Sequence, residues 1–236
     1  MQKPTSDAPG FDPGAYTISN PDEFARNLLR FFEEGAKVMS GLIERSDAKA
    51  SPFSAATEVT AAMKSMADLG RVWMADPSFL ANAQGELVRN YVDLWNGQMR
   101  RLLGEDVEPV AKPEPGDSRF KDPEWTSNPY FDFWKQAYLI TTHWAEDVLD
   151  RTTGMEEREK HKAEFYLKQV VGALSPSNFP ITNPEVLRET FSSNGRNLVA
   201  GVENLMRDMQ GSKDLLRVSQ TDVSAFEVGR NLAVTP

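Results

Sequence analysis

The chain has 236 residues, 40% hydrophobic and 26% charged, with five Trp and thirteen Phe; this excludes a wholly disordered polymer and is enough for a sizeable core. It contains no cysteine, which rules out disulfides, thiolate metal sites and a cysteine nucleophile within these residues. The formal charge of −9 is spread evenly, with 17 acidic against 12 basic residues over 1–116 and 18 against 14 over 117–236, so no basic stripe points to nucleic acid or anionic lipid.

Residues 1–19 are rich in Pro, Gly, Ser and Thr, lack the apolar stretch of a signal peptide, and are expected to be disordered. Helix starts follow in a repeated form: Asn20-Pro21, Ser51-Pro52, Asp76-Pro77, Asn128-Pro129 and Asn183-Pro184 each set a capping side chain before a proline that gives up no needed hydrogen bond. The first helix is predicted over 21–45, with Phe24, Leu28, Phe31, Phe32, Val38, Met39 and Leu42 on its apolar side. The second is predicted over 52–75, with Val59, Met63, Met66 and Trp73 at helical spacing. The third runs over 77–103, where Leu80, Leu87 and Leu94 recur every seven residues, Ala83, Tyr91 and Trp95 widen the stripe, and Gly104 ends it. Residues 20–104 thus read as an amphipathic, bundle-like helical region.

Residues 105–116 carry three prolines among charges and are expected to form an extended acidic spacer and a domain boundary. A second helical subdomain, 117–210, opens with an irregular aromatic segment from Phe120 to Trp125. Helices are predicted over 129–150 (Phe131, Trp134, Tyr138, Trp144, Val148) and 155–174. A break follows at 175–180, then a helix from Pro184 that pauses near Ser193-Asn-Gly195 and continues to Met209. From 211 to 236 the periodicity fades into an extended tail that reads as the lead-in to a larger, missing domain. The fold class is all-α. No run approaches the ~20 apolar residues of a spanning helix, and the expected location is cytoplasmic.

Motifs for chemistry are missing from the pattern. His143 and His161 lack the clustered partners of a zinc site, and His161 sits in a charged stretch where Glu157 and His161, and Glu156 and Lys160, are spaced as i,i+4 pairs. Ser175 and Ser177 read as turn residues beside prolines, and no nucleophile elbow or glycine-rich phosphate loop occurs, so neither catalytic nor cofactor-binding nor metal residues are assigned. The aromatic and Met stripes serve either helix packing or docking on a partner; the residues singled out for interaction or core docking are Phe131, Trp134, Tyr138, Phe226 and Arg230.

Four ordered blocks carry a family resemblance: Asp122-Pro-Glu-Trp125 leading into Asn128-Pro-Tyr-Phe-Asp-Phe133, then Leu174-Ser-Pro-Ser-Asn-Phe179, then Thr182-Asn-Pro-Glu-Val186, and last Gln220-Thr-Asp222 with Phe226-Glu-Val-Gly-Arg-Asn231. Residues 117–236 resemble the N-terminal region of class I polyhydroxyalkanoate synthases. The resemblance implies a whole enzyme that polymerises (R)-3-hydroxyacyl-CoA into polyester with release of CoA. It would do so through an α/β-hydrolase domain bearing a cysteine, a histidine and an aspartate, none of which maps onto this chain. It further implies a non-catalytic region that supports dimerisation of the full enzyme, steadies the catalytic domain, and associates with polyester granules and phasin-type proteins. The alternative is a free-standing helical granule-coating or adaptor protein.

Overall fold

The computed structural model describes residues 12–46 and 55–211. The start of the second helix at Ser51-Pro52, and the tail with Phe226 and Arg230, lie outside the described residues. Eight α-helices, and no strand among the described residues, make up the fold: α1 (Pro21–Ser46), α2 (Ala55–Ala75), α3 (Pro77–Leu102), α4 (Glu124–Ser127), α5 (Pro129–Arg151), α6 (Glu157–Ala173), α7 (Pro184–Ser192) and α8 (Arg196–Gly211). The fold is all-α, as the sequence pattern implies. The proline-led starts cap as expected: Asn20 accepts from Glu23 N–H (3.1 Å), Asp76 from Phe79 N–H (2.9 Å), Asn128 from Tyr130 N–H (3.0 Å) and Asn183 from Glu185 N–H (3.0 Å). Within 1–19, residues 12–19 depart from the expected disorder, because the Tyr16 ring wedges between Phe131 and Phe191 and gives the segment an apolar anchor.

Helix α5 lies at the centre and packs on α3, α4 and α6. Its Ala137, Leu139 and Ile140 meet Leu94 of α3 and Ala111, with Leu87, Tyr91 and Phe120 around them. A second cluster joins Leu69 of α2, Leu149 of α5 and Ala163 of α6. Helix α1 runs along α8, and α7 packs on the turn Pro13–Tyr16. Each long helix before residue 104 therefore rests on a helix after residue 117: α1 on α8, α2 on α6, α3 on α5. Phe32, Met39 and Met63, expected on apolar faces, point outward instead. The apolar stripe of each helix is wider than the surface its neighbours cover, and these residues fall outside the covered part.

A buried carboxylate ties this centre together. Asp132, in the first turn of α5, is 1% exposed. Its Oδ2 accepts from Gln98 Nε2 (2.8 Å), Arg101 Nη1 (2.6 Å) and Gln136 Nε2 (2.6 Å), and its Oδ1 lies 2.9 Å from Lys135 Nζ. Three of these four partners make a second contact elsewhere. Lys135 donates to the Trp125 carbonyl (2.6 Å), and Arg101 donates to the Val107 carbonyl (2.7 Å). The Gln136 side-chain oxygen accepts from Val110 N–H (2.7 Å). The proline-rich segment 105–116 is thereby strapped along α3 and α5, with Ala111 buried beneath it. Proline removes backbone donors, so few N–H groups there need partners, and Gln136 supplies one for Val110.

Replacing Asp132 by Asn leaves Lys135 and Arg101 facing each other without a counter-charge. The expected loss of unfolding free energy is about 3–5 kcal/mol, read by urea denaturation. A loss below about 1 kcal/mol would show that the carboxylate is not the keystone of the core.

Candidate functional site

Among the described residues no group of three or more His, Cys, Asp or Glu is placed to hold a metal ion, and His143 and His161 are both exposed on separate helices. His161 Nε2 lies 3.2 Å from Glu157 Oε1, the i,i+4 pairing expected of a solvated helix face. A cleft of about 640 Å³ between α2 and α6 is lined by Lys64, Arg71 and Lys162 together with Asp68, Glu156 and Glu159, so its charges offset one another and select neither sign of ligand. What the structure does build is an aromatic and ionic junction at the start of α5, with an apolar face beside it.

The junction is assembled from the sequence blocks. Asp122 caps the turn by accepting from Glu124 N–H (2.9 Å), and Asp122 and Glu124 together grip Arg188 of α7: Nη2 reaches Asp122, and Nη1 lies 2.6 Å from Glu124 Oε1. Tyr16 donates its hydroxyl to the other Glu124 oxygen. Burial first, and then that hydrogen bond, raises the Tyr16 phenol well above its ordinary value, so it remains a donor. Burial alone would raise the Asp122 carboxyl, but the Arg188 guanidinium and the Glu124 N–H overcome it and hold Asp122 below the usual carboxylate range. Trp125 and Phe131, both 1% exposed, stack edge to face at 6.0 Å beneath this latch. At the α7–α8 elbow Asn194 adopts the left-handed conformation (φ 51°) and Gly195 follows at φ 80°; the Asn194 side chain accepts from Asn20 N–H (3.0 Å) and its carbonyl from Asn27 Nδ2 (2.9 Å). The elbow thus seats on the start of α1.

Of the residues singled out from the sequence, Phe131 is in the core. Tyr138 is half-buried, and its hydroxyl accepts from Arg119 Nη1 (2.7 Å), while Arg119 also pairs with Asp117 (2.8 Å). Trp134 is on the surface, and Phe226 and Arg230 lie outside the described residues. Sequence reading gave no long-range role to Asp132, Lys135, Gln136 or Arg188, whose bonds to Gln98, Arg101, Trp125, Val110, Asp122 and Glu124 cross between elements. It also placed Trp95 with the core stripe of α3. Leu94 and Ala83 are buried there, but Trp95 turns outward with Val88, Val92, Met99 and Leu102, all more than half exposed. The 4-3-4-3 spacing of those five residues was a legible signal of a second apolar face. From Trp95 the face continues by ring contacts to Phe133 (5.1 Å), Trp134 (5.9 Å from Phe133) and Tyr130 (6.4 Å from Trp134). Tyr130 donates its hydroxyl to the carbonyl of exposed Ile181 (3.2 Å), in the turn after α6.

The latch has a pH signature. Asp117 is held below its ordinary value by Arg119, and Asp122 is lowered as described, so both contribute stability that is present above the unfolded carboxyl value and lost as pH falls through the folded one. Stability should therefore drop below about pH 4. Arg188→Met should cost roughly 2–3 kcal/mol at neutral pH and flatten the Asp122 share of that acid limb, measured by thermal melts from pH 7 to pH 2. An Arg207→Met control, at an exposed side chain bonded to Asn204, should change neither.

Comparison with known proteins matches residues 116–236 to a family model described as the N-terminus of poly-beta-hydroxybutyrate polymerase (PhaC). Among curated relatives, the poly(3-hydroxyalkanoate) polymerase subunit PhaC of Rhizobium meliloti is 37% identical over 230 residues, 96% of this chain and 38% of the relative. The corresponding subunit of Rhizobium etli is 37% identical over 239 residues, 98% of this chain and 37% of the relative. The poly(3-hydroxyalkanoate) polymerase of Methylorubrum extorquens is 41% identical over 181 residues, 77% of this chain and 30% of the relative. The chain thus spans well under half the length of these relatives. No solved structure matches it. The matched region contains the Asp122–Glu124–Arg188 latch and the Asp132 carboxylate, and on this similarity the chain belongs to the poly-beta-hydroxybutyrate polymerase family, corresponding to its N-terminal region.

Proposed function

We propose that this chain is the non-catalytic N-terminal part of a polyester synthase whose remainder polymerises (R)-3-hydroxyacyl-CoA and releases CoA. One observation carries the reading: the residues of the family-matched region that are rich in chemistry, Asp122, Glu124, Asp132, Lys135 and Arg188, are bound to one another and to backbone groups rather than converging on an open cavity. Such groups brace the helices they join. In this reading residues 117–210 form the part that steadies the catalytic domain, 105–116 joins them to the more variable helices of 20–104, and 211–236 leads into the catalytic domain. The apolar face that includes Trp134 serves docking, and Phe226 and Arg230 extend the docking role into the tail. Support for dimerisation, and association with polyester granules and phasin-type proteins, complete the reading; the uncovered apolar side chains of α1 and α3 suit such contacts.

Purified residues 1–236 should release no CoA from (R)-3-hydroxybutyryl-CoA, and should co-purify with the separately produced catalytic part of a homologous polymerase while raising its turnover several-fold. Acyl transfer by the chain alone, with contaminating synthase removed, would overturn the assignment, as would failure to bind the catalytic part.

A further inference from the structure

Val88, Val92, Trp95, Met99 and Leu102 recur at spacings of four, three, four and three along the outer side of α3. That is the period of a two-helix seam, and among the described residues it is covered by nothing. With Leu103, Tyr130 and Trp134, all exposed, the patch is on the order of 800 Å², the size of one side of a standard protein interface. A monomer ordinarily exposes less. The period calls for a helix, and the side chains themselves indicate which one.

We propose that this seam pairs with the α3 seam of a second copy of the chain, antiparallel, about a two-fold axis between Val92 and Trp95. In that register Val92 meets Trp95 of the second copy, Val88 meets Met99, and Gly85 meets Leu102. Every layer sets a small residue against a large one, so the two axes stay a constant distance apart, as helix packing requires. Parallel pairing would instead stack Trp95 on Trp95 and Val92 on Val92, alternating layers that are too thick with layers that are too thin. One flank of the seam is closed within each copy, since Tyr91 bonds the Ala137 carbonyl (3.2 Å) and Gln98 bonds Asp132 (2.8 Å) on α5. The open flank carries Arg89 and Asn96, and the antiparallel register brings Arg89 beside Asn96 of the second copy rather than beside another arginine. An antiparallel two-fold also sets both α5 flanks on the same side, so the Trp134 rims of the two copies close over the seam together. The contact between Trp95 and Phe133 (5.1 Å) holds the central ring in place beforehand.

This inference deepens the dimerisation element of the proposed function by naming its surface and register, and its test does not depend on any enzymatic readout. Sedimentation of residues 1–236 at tens of micromolar should give the mass of a dimer. Val92→Glu should halve that mass while leaving the circular dichroism and melting of the monomer unchanged, because Val92 is half exposed and belongs to neither core cluster. The chain has no cysteine, so introduced thiols report cleanly. A mixture of Val88→Cys and Met99→Cys chains should form a disulfide-linked dimer under mild oxidation, and neither variant alone should do so. A monomeric wild type, a dimer that survives Val92→Glu, or cross-linking of Val88→Cys with itself would each overturn the proposal. Loss of binding to a catalytic part, with the seam dimer intact, would count against the proposed function and leave the seam standing.

Discussion

Asp132 is a carboxylate taken out of water, and a lone buried carboxylate is untenable in an apolar core. Its ionised form demands cations and amide donors, and the surrounding helices are arranged to deliver them: Gln98 and Arg101 from α3, Lys135 and Gln136 from α5. Apolar packing between α3 and α5 would tolerate sliding by a turn, because Leu and Ala layers resemble one another. The ionic node does not tolerate it, since a one-turn slip of about 5.4 Å breaks both bonds that α3 makes to Oδ2, from Gln98 and Arg101. The same groups then carry the order outward, through Arg101 and Gln136 to the segment 105–116 and through Lys135 to the Trp125 carbonyl.

A second polar unit repeats the logic at lower burial. Arg188 gathers Asp122 and Glu124, and Tyr16 closes on Glu124, so that α4, α7 and the N-terminal turn share one cluster. It fastens α7, at a point two residues beyond the block Thr182–Val186, to the block Asp122–Trp125. Their residue types suit mutual satisfaction: a guanidinium fork offers paired donors in a plane, and two carboxylates two residues apart can take both ends.

Much of the local structure was readable in advance. Caps before prolines, the break at Ser193-Asn-Gly195 and the amphipathic character of the long helices follow from backbone chemistry that acts within a few residues, and the described helices begin where Asn20, Asp76, Asn128 and Asn183 say they should. Which helix meets which was not readable. A stripe such as that of Phe24, Leu28 and Phe31 states that a face is apolar without stating its partner, and α8 lies about 170 residues downstream of the α1 residues it covers, as the Arg30–Glu203 pair shows. Asp132 was hidden for a related reason: an acidic residue in a first turn already has a local explanation in the helix dipole, which masks its long-range one. Trp95 was misplaced because two apolar faces overlap on α3, and heptads of Leu80, Leu87 and Leu94 drew the eye to the inner one.

The pairing of α1 with α8, seated by the Asn194 elbow, has a consequence for biosynthesis. Translation proceeds from α1 toward α8, so the first helix leaves the ribosome long before its intended neighbour exists. At 5–20 residues per second the gap is roughly 10–30 s, far longer than a helix needs to form. During that interval Phe24, Phe31 and Val38 have no native cover, and nascent chains on one message present the same apolar ridge to each other. Chaperone occupancy of α1 would be concentrated in that window and would end as the elbow emerges.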